Sequence, residues 1–139
     1  VIDMKTNKIM GFTLTEIMIV VVVMGILVSI AWPRYILVAE KSRTAEAKNV
    51  LGQIRATELG YYLEYDSYTA NIALLSLGVP ASCNTSFYYS YSISGGGASF
   101  TATAARCTSG GKAPNSPGGV AYVLNITQNG DLGGTPPYV

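Results

Sequence analysis

Hydrophobic and polar positions divide this chain into three stretches with different patterns. The first is an apolar run, in which Ile17 to Trp32 carry no charge and span about 24 Å as a helix at 1.5 Å per residue. With Leu14 and Pro33 included, such a helix approaches the hydrocarbon thickness of a bilayer, about 30 Å. Val20 to Val23 favour a strand in water, but an open strand leaves its backbone unbonded in lipid. The run predicts a transmembrane helix over residues 12–33.

The second stretch, residues 34–65, mixes charges with apolar residues at helical spacing. It continues the first stretch, so we predict one helix of about fifty residues, bent at Pro33, where the amide that would bond to the Ser29 carbonyl is missing. Residues at helical spacing form one apolar stripe, and most charges are expected to lie off it. The stripe consists of Ala47, Val50, Leu51, Ile54 and Tyr61. The charged residues expected to lie off the stripe are Glu40, Arg43, Lys48 and Arg55.

The third stretch, residues 66–139, alternates apolar and polar residues in short runs, as half-buried strands do. The predicted strands cover 86–94, 98–106 and 120–128, with glycines 95–97 as the first hairpin turn and loops at 66–82 and 109–119. The fold class is therefore α+β: a long N-terminal helix, half transmembrane and half amphipathic, packed on a small antiparallel β-sheet.

The charges around the apolar run predict its orientation. Lys5 and Lys8 precede the run, and the positive-inside rule puts that side in the cytoplasm and everything after Pro33 outside. A secretory signal peptide is the alternative interpretation. No small-residue cleavage site follows the run, where Trp32, Pro33 and Arg34 stand instead, so we expect the apolar helix to be retained.

The two cysteines, Cys83 and Cys107, flank the first two predicted strands. In an exported domain such a pair favours a disulfide, and closing a loop of this size contributes roughly 3 kcal/mol in the chain-entropy estimate. The alternative is two separate buried thiols.

Catalytic chemistry has little support in the composition. The chain has no histidine, which excludes Ser-His and Cys-His arrangements and histidine-based metal sites. Gly111 and Lys112 do not complete a phosphate loop, since Ala113 follows them and Arg106 occupies the place of the upstream glycine. Asp131 alone makes a weak calcium site. We expect no enzyme, no cofactor, no metal site and no strong nucleic-acid binding, since no basic patch accompanies the aromatic runs.

The stretch "GFTLTEIMIVVVVMGILVSIAWPRY" resembles the N-terminus of type IV prepilins and of the related pseudopilins, over residues 5–35. By that resemblance, residues 1–11 are a leader that a prepilin peptidase removes between Gly11 and Phe12, and the new Phe12 amine is methylated. Two features depart from the family pattern. Thr15 stands where an aliphatic residue is usual, and the two cysteines enclose the middle of the sheet instead of a C-terminal loop.

A carboxylate in an apolar helix indicates a functional site. The resemblance implies that Glu16 meets the Phe12 amine of a neighbouring subunit and so sets the axial register; the alternative is a carboxylate that only reaches the membrane surface. The segment from Gly25 to Pro33 resembles the segment that pilins unwind on assembly. Glycine and proline are weaker helix formers than alanine, by about 1 and 3 kcal/mol respectively.

The resemblance implies a structural subunit of a type IV pilus, polymerising through its apolar helix into an extracellular filament for adhesion, motility or DNA uptake. The alternatives are a pseudopilin of a type II secretion system and a minor pilin of a DNA-uptake machine. The implied partners are copies of the chain, the prepilin peptidase, the assembly machinery and other minor pilins. The implied location is the bacterial inner membrane for the precursor and the cell surface for the filament.

Overall fold

The computed structural model of the chain describes residues 11–135; most of the predicted leader, residues 1–10, lies outside this range. The described chain divides into two compact units, one ending at Val38 and one beginning at Ala39. In chain order the elements are α1 (Leu14–Tyr65), a 3-10 helix (Ile72–Leu75), β1 (Tyr89–Gly96), β2 (Ser99–Arg106), a second 3-10 helix (Pro117–Gly119), β3 (Val123–Thr127) and β4 (Leu132–Gly134).

α1 runs through Pro33 as one helix of 52 residues, so the prediction of a single long helix is confirmed. The first unit contains the part of it up to Val38. Its large apolar side chains between Phe12 and Trp32 are 47–83% exposed. By length and composition this is a helix that could cross a membrane, and its most apolar stretch is buried nowhere against the chain. So much exposed apolar surface needs lipid or another protein to cover it.

In the second unit, the rest of α1 packs on a four-stranded antiparallel sheet with the strand order β1-β2-β3-β4, which confirms the α+β prediction. An apolar cluster forms the core between them. Its buried members are Ala47, Val50, Leu51 and Ile54 from α1, Leu75 from the first 3-10 helix, and Tyr89, Tyr91, Phe100, Ala102, Ala104, Leu124 and Ile126 from the strands. Tyr61, the last member of the predicted stripe, is half-buried at the edge of this core.

Two details of the sheet differ from the sequence prediction. β1 extends through Gly95 and Gly96, which pair with Phe100 and Ser99, so the hairpin turn comes after them. Both glycines have positive φ, which only glycine adopts readily within a strand. β4 was not predicted, because a three-residue strand containing two glycines carries no alternating pattern.

The helix face against the sheet also differs from the prediction. Glu40 is fully buried, whereas the stripe analysis places it among the off-stripe charges; Thr44 and Glu58 are buried as well. Counting from Ala47, these positions fall at −7, −3 and +11, which is the spacing of the same helical face. The prediction was wrong because it assumed that a charge leaves the buried face, although the periodicity itself includes these residues.

The cysteines form the expected disulfide, between exposed Cys83 and buried Cys107, with Cα atoms 5.8 Å apart. The following loop packs tightly on it. A Cβ at Gly111 would collide with the Cβ and approach the Sγ of Cys107, and the Lys112 amide donates to the Phe87 carbonyl at 2.9 Å. Only glycine therefore fits at position 111 without moving this loop.

Candidate functional site

The first turn of α1 gives Glu16 a partner within its own chain. The backbone N–H and the hydroxyl of Thr13 each donate to Glu16 Oε2 at 2.8 Å, and the Glu16 N–H donates back to Thr13 Oγ1 at 3.2 Å. This reciprocal pair is a capping box, which satisfies donors that a helix start leaves unbonded. Its sequence signal is a threonine three residues before a glutamate at the head of an apolar run, and our sequence analysis missed it.

The capping box leaves the Glu16 carboxylate free to take further donors. Both bonds from Thr13 end on Oε2, while an ionised carboxylate has about four acceptor positions. The side chain is exposed and shares a shallow concavity with Gly11, Phe12 and Thr13. An amine that approaches Glu16 can thus be accepted without breaking the cap.

Two glycines of the first unit make no close contact with the rest of the described chain. A Cβ at Gly11 or at Gly25 would meet no atom within 4 Å among residues 11–135, and neither residue has a positive φ. Gly25 therefore weakens the helix by about 1 kcal/mol relative to alanine, and no packing contact within residues 11–135 requires glycine at either position.

In the second unit, the strongest polar contact is a buried ion pair between α1 and the end of β2. Arg106 Nε donates to Glu40 Oε2 at 3.1 Å, and Nη2 donates to Oε1 at 3.2 Å. The other guanidinium hydrogens reach the carbonyls of Tyr88, Cys107 and Pro114 at 2.8–3.3 Å. All five donors of the guanidinium are used, so one side chain ties together the helix, the start of β1, the disulfide and the loop after it.

This burial changes the interpretation of the outer-face charges. Arg106 is 1% exposed and neutralised by Glu40. Lys112 is exposed, with its ammonium 4.9 Å from the centre of the Tyr88 ring. Arg43 lies over the same ring and also pairs with Glu40. These cations are part of a structural cluster around Tyr88, so they add little to a nucleic-acid surface.

Further carboxylates bind backbone groups of the sheet unit from α1. Glu46 Oε1 accepts from the Tyr88 N–H at 2.9 Å, and Glu58 Oε2 accepts from the Thr69 N–H at 3.1 Å. Glu58 is fully buried, and its Oε1 has no hydrogen-bond partner among the described residues. Burial raises the pKa of Glu58 above 4.5, and the Thr69 bond opposes this only in part, because a buried carboxylate loses its hydration.

We expect Glu58→Gln to stabilise the protein at neutral pH and to change little in acid. A group whose pKa is raised on folding contributes its full stability below the unfolded value, and this contribution is lost as pH rises through the folded pKa. Glutamine keeps the acceptor for Thr69 but has no charge to bury. Thermal unfolding of the full chain in detergent, between about pH 4 and pH 8, measures the difference. Glu64→Gln, at an exposed position, controls for net charge. A stability difference that does not depend on pH would contradict the assignment.

Asp131 lies in the turn between β3 and β4. It is exposed, and its Oδ2 accepts from the Thr127 hydroxyl at 3.4 Å. Between residues 11 and 135, no three acidic, cysteine or histidine side chains come together in a way that could hold a metal ion. Asp131 therefore acts here as a turn residue.

Comparisons with known proteins identify one family motif and two similar curated proteins. Residues 11–32 match the family described as the prokaryotic N-terminal methylation motif. The chain is 33% identical over 100 residues to fimbrial protein EcpC of Eikenella corrodens, covering 72% of this chain and 64% of EcpC. It is 41% identical over 59 residues to the type IV major pilin protein PilA of Myxococcus xanthus, covering 42% of this chain and 27% of PilA. The chain thus spans less than two thirds of each of these curated relatives. The match to EcpC is long enough to extend beyond the apolar segment.

Proposed function

We propose that this chain is a structural subunit of a type IV pilus. It carries the prokaryotic N-terminal methylation motif and is similar to pilins. The observation that supports this role best is the exposed apolar segment of α1 with its single carboxylate, Glu16. Lipid covers such a surface in the precursor, and the same segments of neighbouring subunits cover it in a filament. The proposal includes an inner-membrane precursor, an extracellular filament and no enzymatic activity.

Filaments sheared from cells that express the chain test this role directly. Mass spectrometry of the purified filaments should identify the mature chain as a subunit, and cryo-microscopy should place α1 in the filament interior. A chain that is processed but stays in the membrane fraction, with none in sheared filaments, would contradict the proposal.

The proposal also includes unwinding of residues 25–33 on assembly. α1 is continuous through Pro33 in the isolated chain, yet Gly25 gains nothing from the fold and Pro33 removes a helical hydrogen bond. The free energy of filament contacts can then unwind this segment at low cost. The same cryo-microscopy map should show a non-helical stretch between Gly25 and Pro33.

Processing should depend on Gly11. We expect Gly11→Val to leave an uncut precursor in the membrane, because a β-branched side chain hinders close approach of a peptidase to the bond before Phe12. The fold itself has room for a side chain at position 11, so a folding defect does not explain a failure of cleavage. Intact mass and N-terminal sequencing measure the cut, and Gly25→Ala is the matched glycine control. A Gly11→Val chain that still begins at Phe12 would show that the cleavage site is elsewhere.

A further inference from the structure

Charges are segregated along the part of α1 that belongs to the second unit. From residue 39 to 57 it carries the cations Lys41, Arg43, Lys48 and Arg55 and the carboxylates Glu40 and Glu46. The last eight residues of the helix and the one after it, 58–66, carry three carboxylates and no cation, and no basic residue stands in the last turn. A helix C-terminus favours cations and disfavours carboxylates, so this acidic end works against the helix that carries it.

The exposed cations of the helix lie far from Glu64 in the same copy. The nearer Arg55 donates its Nε to the Gln128 carbonyl at 3.0 Å and forms no ion pair among residues 11–135. Lys41, Lys48, Glu64 and Asp66 are exposed, and both ion pairs found in residues 11–135 belong to Glu40. At 1.5 Å per residue, Glu64 lies about 24 Å along the axis from Lys48 and about 35 Å from Lys41. At these distances exposed charges are screened by salt.

The acidic end also exposes apolar surface. Leu63 is 88% exposed and Tyr65 is 56% exposed, and the Tyr65 ring stacks on Tyr61 with centroids 4.4 Å apart. We call Leu63, Glu64, Tyr65 and Asp66 the acidic end, and Lys41 and Lys48 the basic stretch. Around the helix, Glu64 lies between these two exposed apolar side chains, about 100° from each. Exposed apolar side chains next to charged ones are typical of protein interfaces.

We propose that the acidic end of one copy docks on the basic stretch of a second copy in the filament. This contact rests on the proposed pilus function. At 100° per residue, Lys41 and Lys48 lie within about 20° of each other, and Glu64 lies about 140–160° away around the helix. Asp66 follows the last helical residue with a φ of 54°, so this helical count does not apply to it. Nearly opposite faces let parallel copies that are shifted along the axis meet side by side. Because the two surfaces differ, the contact is heterologous and continues as an open filament.

Charge reversal tests the pairing in the full chain. The acidic-end variant is Glu64→Lys with Asp66→Lys, the basic-stretch variant is Lys41→Glu with Lys48→Glu, and the swapped variant carries all four changes. We expect each reversal alone to lower filament yield about tenfold. A modest loss of contact free energy changes the equilibrium constant for subunit association by this factor. We expect the swapped variant to recover most of the yield. Asp131→Lys is the matched control, an exposed carboxylate away from the helix end, and should assemble normally.

Stability and salt separate this contact from a folding effect. In the acidic-end variant, Glu64→Lys places a cation at the helix C-terminus, which favours the helix, whereas Asp66→Lys puts lysine at a φ of 54° that aspartate adopts more readily. These effects oppose each other, so its melting temperature should change little while its assembly falls. Wild-type filaments should come apart more readily in about 1 M salt, where the Debye length is about 3 Å. Normal yield from both reversals, or no recovery in the swapped variant, overturns the contact while wild-type filaments still support the pilus function. Loss with the acidic-end variant alone assigns that end to a different partner and also overturns it.

Discussion

Glu16→Gln is expected to abolish filament assembly in cells that make only this variant, while processing, membrane insertion and the disulfide stay normal. Glutamine has nearly the same shape and can keep the capping box with Thr13, since glutamate and glutamine both serve in that motif. What it loses is the negative charge. If Glu16 receives the Phe12 amine of a neighbour, that amine is left without its counter-charge in an apolar bundle, which is unfavourable.

The capping box in the structure gives this experiment its sharpest control. If Glu16 only caps its own helix, Glu16→Gln should assemble normally and Thr13→Val should assemble poorly, because valine has no hydroxyl to share with Glu16. If Glu16 sets the register between subunits, the order of the two variants is reversed. Counting filaments by electron microscopy, with the processed chain measured in parallel, distinguishes these results.

Mixed expression adds a second criterion for Glu16. In a cell that also makes the wild-type chain, the Phe12 amine of the Glu16→Gln subunit can still meet a wild-type Glu16, so the variant should enter mixed filaments at reduced frequency. Glu16→Val makes the helix more apolar and should be retained in the membrane equally well. A normal filament yield from Glu16→Gln alone would leave Glu16 with the capping role only.

Arg106→Met is expected to cost about 3 kcal/mol of folding stability, the lower end of the range for breaking a buried ion pair, because the buried Glu40 carboxylate keeps only the partly exposed Arg43 as a counter-charge. This is a large part of the 5–15 kcal/mol that holds a typical domain together. Three backbone carbonyls lose their donor at the same time. Urea unfolding of the full chain in a mild detergent, followed by near-ultraviolet circular dichroism, measures the change.

Two variants test whether the loss comes from the buried charge. Lys112→Met removes a cation from the same Tyr88 ring but at an exposed position, and it should change stability by less than about 0.5 kcal/mol. The double variant Glu40→Met with Arg106→Met removes both charges and should be more stable than Arg106→Met alone, since paired removal avoids an isolated buried ion. Equal losses in the single and double variants would show that the backbone contacts of Arg106, and not its charge, stabilise the fold.

Local sequence was sufficient for the first part of the molecule. The apolar run, the position of Glu16 and the glycine before Phe12 lie within residues 11–33, and a helix follows from such a run because its hydrogen bonds join residues four apart. The stripe of α1 could also be predicted, since Ala47, Leu51 and Ile54 repeat with the helical period. The disulfide followed from having two cysteines in a domain expected to be exported.

Only the tertiary structure decided which charges are buried and what they bind. Glu40 and Arg106 are 66 residues apart, and no local period relates a helix residue to the last residue of a strand. Sequence rules place charges on the surface because an isolated buried charge is unfavourable, and they fail where the fold supplies a full set of partners, as it does for Arg106. The environment of Glu58 could not be predicted from local pattern either: one of its oxygens bonds to Thr69, and the other has no partner among residues 11–135. The strands had to come together before its environment existed.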